Sequence, residues 1–366
     1  MSAPAPRPGI LDISPYVGGE AHAPGVDRLI RLASNEGALG PSPRAVEAYR
    51  NAAAEVHRYP DGHSTALRDG LARLYELDAA RIVCGTGSDE LLGLLTRSYA
   101  GPGDEVLYSA HGFLMYPISA KSVGATPVAA PETGLKADVD ALLAHVTERT
   151  KIVFIANPNN PTGSFLTTDE MRRLHAGLPE HVVLVIDAAY AEYVDRPDYT
   201  AGAELVEEFA NVVMTRTFSK IYALGGLRLG WAYCPPAIAD VLNRVRGPFN
   251  VSSASQIAGV AAVEDQEFIE RSRLHNDTWR EWLAARLTEL GLTVHPSIAN
   301  FLLVSFANAA SDGNQAAEAA RQFLKSRGIL VRQMGGYGLP HCLRISIGTE
   351  EEMRAVADAV AAFLKG

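Results

Sequence analysis

From Arg81 to Thr217 the chain alternates short apolar runs with segments of helical length. The runs are Ile82-Val83-Cys84, Glu105 to Tyr108, Thr126 to Ala130, Lys151 to Ala156, Val182 to Ile186 and Val212 to Met214. Val182 to Ile186 is apolar at every position, the pattern of a strand covered on both faces. Strands that alternate with helices build a mainly parallel sheet with helices on both sides, so the fold class is α/β. Ligands of such sheets bind at the carboxyl ends of the strands. Cys84 and Gly85, Tyr108, Asn157, Asp187 and Thr215 stand at or just past those ends and are expected to converge on one crevice.

The segments after the runs carry the candidate chemistry. Gly85-Thr86-Gly87-Ser88-Asp89-Glu90 precedes a helix from Leu91 to Tyr99. Strand, glycine turn and helix point backbone N–H groups at an anion. The turn lacks the Gly-Lys-Ser/Thr of a Walker loop and the third glycine of a dinucleotide fingerprint, and Ser88 and Asp89 serve equally well as plain N-caps. Phe113, at a strand-to-helix junction, either stacks on a flat ligand ring or packs in the core. Asn157-Pro158-Asn159-Asn160-Pro161-Thr162-Gly163 is a tight loop that would hold the Asn160 amide in one place. Asp187 closes the all-apolar strand, with Tyr190 just beyond it, and a carboxylate there is costly unless a cation pairs with it. A ligand-facing role is preferred to a structural one. Thr215-Arg216-Thr217-Phe218-Ser219-Lys220 leads into Gly225-Gly226-Leu227-Arg228-Leu229-Gly230-Trp231. A lysine that is buried, or beside other cations, has a lowered pKa and acts as an amine nucleophile toward carbonyls. A surface lysine in a loop is the plain alternative. Ser219 and Arg228 suit a phosphate held beside it.

At 366 residues the chain suits a large domain and a smaller one. Residues 1–34 read as an N-terminal arm, 35–247 as the large domain and 248–366 as a small α+β domain. Tyr16, the large aromatic of the arm, either packs it to the body or touches a ligand. Arg332 and Arg344 sit on strands among apolar residues, and a buried arginine needs an anion, supplied by an internal carboxylate or by a ligand. The content of 47% hydrophobic and 20% charged residues is ordinary for a globular enzyme. A net charge of -9 and a pI near 5.6 argue against nucleic acid as a partner. No apolar run approaches the roughly 20 residues of a membrane span, and Met1 to Pro8 has no apolar core of a secretory signal. Cys84, Cys234 and Cys342 are far apart and odd in number, reading as buried apolar residues rather than a disulfide set or a metal site. The expected compartment is the cytoplasm.

Taken together the motifs resemble the fold-type-I PLP-dependent aminotransferases, and within them most closely those acting on histidinol phosphate. The matching pieces are Leu32 to Glu36, Arg58-Tyr59-Pro60-Asp61, Gly85 to Glu90, Asn157 to Gly163, Asp187 to Tyr190, Arg216 to Lys220, Gly226 to Gly230 and Arg344 to Thr349. The resemblance implies that Lys220 carries pyridoxal 5'-phosphate and shuttles protons, and that Asp187 pairs with the pyridine nitrogen. It implies that Tyr190 and Asn160 bond the ring oxygen and that Phe113 stacks on the ring. Ser88 and Asp89 would present backbone to the cofactor phosphate, with Ser219 and Arg228 alongside. Tyr59 would reach that phosphate from a neighbouring subunit, implying a homodimer. Arg344 would bind the carboxylate of glutamate or the phosphate of the other substrate, with Tyr16, Asn35 and Arg332 as further substrate contacts. Two departures stand out: Asn35-Glu36-Gly37-Ala38 where the family often reads Asn-Glu-Asn-Pro, and Phe113 where it often has tyrosine.

The implied reaction is amino transfer between histidinol phosphate and 2-oxoglutarate or glutamate. The same scaffold also serves aromatic amino-acid transaminases and a PLP-dependent decarboxylase of cobalamin synthesis. A non-catalytic PLP-binding regulator would need a DNA-binding domain, for which the chain has neither spare length nor basic charge.

Overall fold

The structure, a computed structural model, describes residues 4–22, 25, 28–309 and 313–365. In chain order its strands are β1 (Ile30–Leu32), β2 (Ile82–Gly85), β3 (Glu105–Ser109) and β4 (Thr126–Ala130). A short ribbon of β5 (Glu132–Thr133) and β6 (Lys136–Ala137) follows, then β7 (Thr150–Ala156), β8 (Val183–Asp187), β9 (Val212–Thr217) and β10 (Gly230–Tyr233). The last four are β11 (Thr293–His295), β12 (Phe301–Ser305), β13 (Ile329–Gln333) and β14 (Cys342–Ser346).

The large sheet runs β2-β10-β9-β8-β7-β3-β4. Neighbours β9, β8, β7, β3 and β4 are parallel, while β10 lies antiparallel between β2 and β9. Strand periodicity divides the core. Ile82, Leu107, Val153, Leu184, Ile186 and Met214 pack on one side of the sheet. The alternating Val83, Val106, Ile152, Val183, Val185 and Val213 pack on the other. A strand covered on both faces has no solvent side, which is why β8 is buried along its whole length. β10 is not evident in the sequence, because it starts on Gly230 inside a glycine-rich stretch.

The small sheet runs β1-β13-β14-β12-β11. Residues 30–32, expected in the arm, instead form β1, which pairs in parallel with Ile329, Leu330 and Val331. The run is too short to stand out in the sequence, and its pairing partners lie near the other end of the chain. Alternation again sorts the side chains. Leu32, Val331, Leu343 and Ile345 join the apolar core beneath the helices Gln266–Glu289 and Glu350–Leu364. Arg332, Arg344 and Ser346 fall on the intervening positions and so leave that core. Two helices, Ser253–Glu264 and Gln266–Glu289, meet at Asp265. The three cysteines are buried and free. Among the described residues no helix is long and apolar enough to cross a membrane.

Candidate active site

A cavity of about 260 Å³ opens at the carboxyl ends of the parallel strands. Five strand ends contribute: Ser88 and Asp89 after β2, Phe113 after β3, Asn160 after β7, Asp187 and Tyr190 at and after β8, and Ser219 and Lys220 after β9. The segment Ala33-Ser34-Asn35, Arg228, Tyr16 and Arg344 of the small sheet also line it. Of the strand-end residues expected there, Asp187 is in the lining, whereas Cys84, Gly85, Tyr108, Asn157 and Thr215 are not. Asn157 is fully buried beneath it, holding the loop by bonds to Leu166 and to the Thr200 carbonyl.

Asp187 is 5% exposed and has no cationic partner among the described residues. Its Oδ2 accepts a hydrogen bond from the Tyr116 hydroxyl at 2.9 Å and its Oδ1 one from Thr215 Oγ1 at 3.3 Å. Burial pushes its carboxyl up to about 6, while the Tyr116 and Thr215 donors oppose that rise. Tyr116 itself is fixed by stacking on Phe154 at 4.7 Å and by edge contact with Phe113 at 5.9 Å. Sequence reasoning assigned Tyr116 no role. It lies on the first turn of a helix in an aromatic-rich stretch, and only the fold shows that its hydroxyl meets the carboxylate.

Lys220 is half-buried in the cavity wall. Its Nζ donates to the Ser34 carbonyl at 3.1 Å and lies 5.6 Å from the Tyr190 ring centre. Desolvation first, and then the Arg344 guanidinium, lower its pKa from 10.5 to about 8. The Tyr190 hydroxyl accepts from Asn35 Nδ2 at 3.0 Å, which leaves its own proton free for another acceptor. Asn35, expected as a substrate contact, is 1% exposed and committed elsewhere: besides Tyr190 it bonds Ser346 through both its backbone N–H and its Oδ1.

Arg344 is 6% exposed, yet no carboxylate pairs with it among the described residues. Its Nη1 donates to Asn160 Oδ1, its Nη2 to the Ala33 carbonyl at 2.8 Å, and its Nε has no partner. The bond from Arg344 identifies the oxygen end of the Asn160 amide and leaves the Nδ2 protons available. Arg332 stands directly across from Arg344 in the β13–β14 pair. Its Nη2 holds the Val17 carbonyl of the arm at 2.5 Å, and its guanidinium lies 5.8 Å from the Tyr16 ring centre. Tyr16 lines both this cavity and a neighbouring one of about 580 Å³ beneath the arm, whereas Arg332 lines only the neighbouring one.

The helix after β2 begins at Ser88, and its N-cap is Gly87. Ser88 and Asp89 therefore lie inside the first turn and neither is the cap. Arg228 approaches this terminus, with Nη2 3.4 Å from Asp89 Oδ2 and Nη1 3.4 Å from Ser219 Oγ. The close approach of β10 depends on Gly230, where a Cβ would collide with the Ser88 backbone nitrogen. Tyr59 does not reach the cavity of its own chain: it is 84% exposed and stacks on Phe249 at 4.8 Å. Among the described residues no cluster of His, Cys, Asp and Glu forms a metal site.

Two sheets joined over a cavity that presents a half-buried lysine, a buried carboxylate and a helix N-terminus place this chain in an enzyme class, and comparison with known proteins agrees. Residues 27–360 match the model of the aminotransferase class I and II family, and the chain belongs to that family. The histidinol-phosphate aminotransferase of Rhodospirillum centenum is 66% identical over 366 residues, covering 100% of both chains. That of Paramagnetospirillum magneticum is 62% identical over 364 residues, covering 100% of this chain and 99% of its own. Among solved structures, the histidinol-phosphate aminotransferase of Sinorhizobium meliloti in complex with pyridoxal-5'-phosphate superposes with a TM-score of 0.91 at 30% identity, covering 100% of this chain and 99% of its own.

The Tyr116–Asp187 contact gives the first prediction. In the ligand-free chain the Asp187 carboxyl, followed by carbon-13 NMR, should titrate near pH 6 rather than near 3.8. Tyr116→Phe removes a donor to the ionised form, so the midpoint should move further up, by about one to two pH units for a charge-assisted bond. A wild-type midpoint near 4, or a Tyr116→Phe midpoint unchanged or lower, would contradict this account of the site.

Proposed function

We propose that the chain catalyses transamination with pyridoxal 5'-phosphate, moving an amino group between histidinol phosphate and 2-oxoglutarate or glutamate. The observation that carries the reading is Arg344: a buried guanidinium with an unpartnered Nε, in a cavity shared with Lys220 and with a carboxylate that lacks a cation. Both charges fit a ligand that is cationic at one point and anionic at another.

The residues present fit the cofactor. Asp187 suits a protonated pyridine nitrogen, because a cation there supplies the partner its burial lacks. Tyr190 and Asn160 each retain a free donor for the ring oxygen. Phe113 offers a ring face. The backbone of Ser88 and Asp89 at the helix N-terminus, with Ser219 and Arg228, suits the phosphate. Once bound, the cofactor supplies an electron sink for the carbon that loses its proton.

The chain's own groups then have distinct tasks. Lys220 Nζ moves the proton, since an amine with a pKa near 8 accepts and returns one close to neutral pH. Asp187 keeps the ring nitrogen charged by remaining ionised. Arg344 binds the anionic end of each substrate in turn, because a planar guanidinium suits carboxylate and phosphate alike. Arg332, across the strand pair, adds a second cation for a dianionic phosphate, and Tyr16 closes the cavity above it. Asn35 acts through Tyr190 rather than by touching substrate. The names of the full-length relatives support histidinol phosphate as the amino donor. The exposure of Tyr59 supports a homodimer in which it serves the partner's phosphate site.

Three experiments test this reading. Borohydride treatment of the protein loaded with pyridoxal phosphate should fix the label on Lys220. The rate of capture by the ligand-free chain should rise as pH passes about 8, because the free amine, not the ammonium, attacks the carbonyl. Label on another lysine, or a rate that rises only near pH 10.5, would refute the role of Lys220.

The second is single-turnover spectroscopy with a panel of donors. Histidinol phosphate should outrun phenylalanine and tyrosine, and the reverse order would move the assignment to aromatic amino acids. Arg344→Ala should slow both half-reactions by tens- to thousands-fold, the equivalent of about 2–5 kcal/mol for a buried charge-assisted contact. An Arg344→Ala enzyme with normal rates would remove the anion-binding role.

The third mixes two inactive parents, Lys220→Ala and Tyr59→Ala. Heterodimers should recover part of the activity, since one of their two sites receives both intact residues. Verified heterodimers that stay inactive, or a monomeric active enzyme, would exclude the shared site.

A further inference from the structure

Gly37 is one of the positions where the chain departs from the usual family motif, and its surroundings explain why a side chain is missing. A Cβ built there would lie 2.8 Å from Ala223 Cβ and 2.9 Å from the carbonyl oxygen of Lys220, inside ordinary contact distance. The segment that carries Gly37 has little freedom to retreat. Asn35 N–H donates to Ser346 Oγ at 2.9 Å, Asn300 Nδ2 donates to the Asn35 and Glu36 carbonyls at 3.1 and 3.3 Å, and the Gly37 carbonyl accepts from Gly40 N–H at 3.1 Å. The facing turn is closed by a bond from Ala223 N–H to the Lys220 carbonyl at 2.9 Å, with Ala223 at a φ of 53°, where a side chain is strained. The same segment also meets the far end of the lysine, through the Ser34 carbonyl that accepts from Lys220 Nζ.

We propose that Gly37 is a positioning residue for Lys220, with Ala223 as its packing partner: residues 34–37 bracket the lysine at both its carbonyl and its amine, and the bracket closes only while position 37 has no side chain. The proposal rests on the amino-transfer reading above. A methyl group at position 37 pushes the Lys220 carbonyl away, and the amine moves with it, off the Ser34 carbonyl. Cofactor capture suffers, because the amine nitrogen must reach the aldehyde carbon, form the carbon–nitrogen bond and release water. Binding of the cofactor's ring and phosphate is untouched.

Two forms of the cofactor separate these effects. Pyridoxal phosphate bears the aldehyde that Lys220 captures, whereas pyridoxamine phosphate bears an amine that it cannot. In equilibrium binding to the full chain freed of cofactor, Gly37→Ala should weaken pyridoxal phosphate by about ten- to a hundredfold, the scale of a misplaced reactive group, and change pyridoxamine phosphate by less than about twofold. Ala223→Gly alone should bind both forms as wild type does. Gly37→Ala with Ala223→Gly should recover most of the loss, because the second substitution removes the facing methyl and relaxes the turn. Equal weakening of both forms, no weakening, or a double variant as poor as Gly37→Ala would each overturn the proposal. If Gly37→Ala does not fold, the double variant decides, through the ratio of the two affinities against wild type. A wild-type chain that binds neither form would instead count against the cofactor reading itself.

Discussion

The architecture depends on keeping two opposite charges out of water without pairing them to each other. Asp187 closes β8 and Arg344 lies on β14, and each is nearly inaccessible. Among the described residues Asp187 has only neutral donors, and Arg344 only neutral acceptors and an idle Nε. An unpaired buried charge is expensive, and a chain that carries two must fix them on elements that cannot yield. Both stand on interior strands, β8 between β9 and β7 and β14 between β13 and β12. Interior strands are hydrogen-bonded along both edges, so neither charge can relax into solvent by local fraying.

Between the two sheets runs the segment from Ala33 to Gly37, whose backbone and side chains serve several partners at once. Ala33 offers its carbonyl to Arg344, Ser34 to Lys220, and Asn35 joins Tyr190 to Ser346. Asn35 adopts a left-handed conformation at φ 56°, which asparagine tolerates better than most residues. A shift of the small sheet is thereby transmitted to both Lys220 and Tyr190 by direct bonds, with no intervening layer of side chains.

Much of this was legible in the sequence because periodicity and polarity speak locally. Alternating apolar runs gave the parallel sheet and the crevice at its strand ends, but of the residues standing at those ends only Asp187 is in the lining, with Asn160 and Lys220 a few residues beyond theirs. What stayed hidden depends on long-range pairing. β1 has no pattern of its own, and only Ile329 to Val331 make it a strand. Tyr116 became relevant once β3 and β8 set its hydroxyl against Asp187. Asn35 could be matched as part of a motif, but its commitment to Tyr190 and Ser346 requires two sheets to be in place. Arg344 was open between an internal carboxylate and a ligand, and its burial with no carboxylate paired to it among the described residues narrows the choice.

The pairing of β1 with β13 also fixes when the molecule can be finished. A ribosome releases Ile30 long before Ile329, a separation of 329 − 30 = 299 residues. Every strand of the large sheet, by contrast, lies between Ile82 and Tyr233. That sheet can assemble while the remainder is still being made, as domains commonly do during synthesis. β1 must wait unpaired for its neighbour, and Arg344 arrives later still. The crevice accordingly closes after the large sheet has formed, and a nascent chain carries its lysine and aspartate in an open half-site until β13 and β14 have emerged.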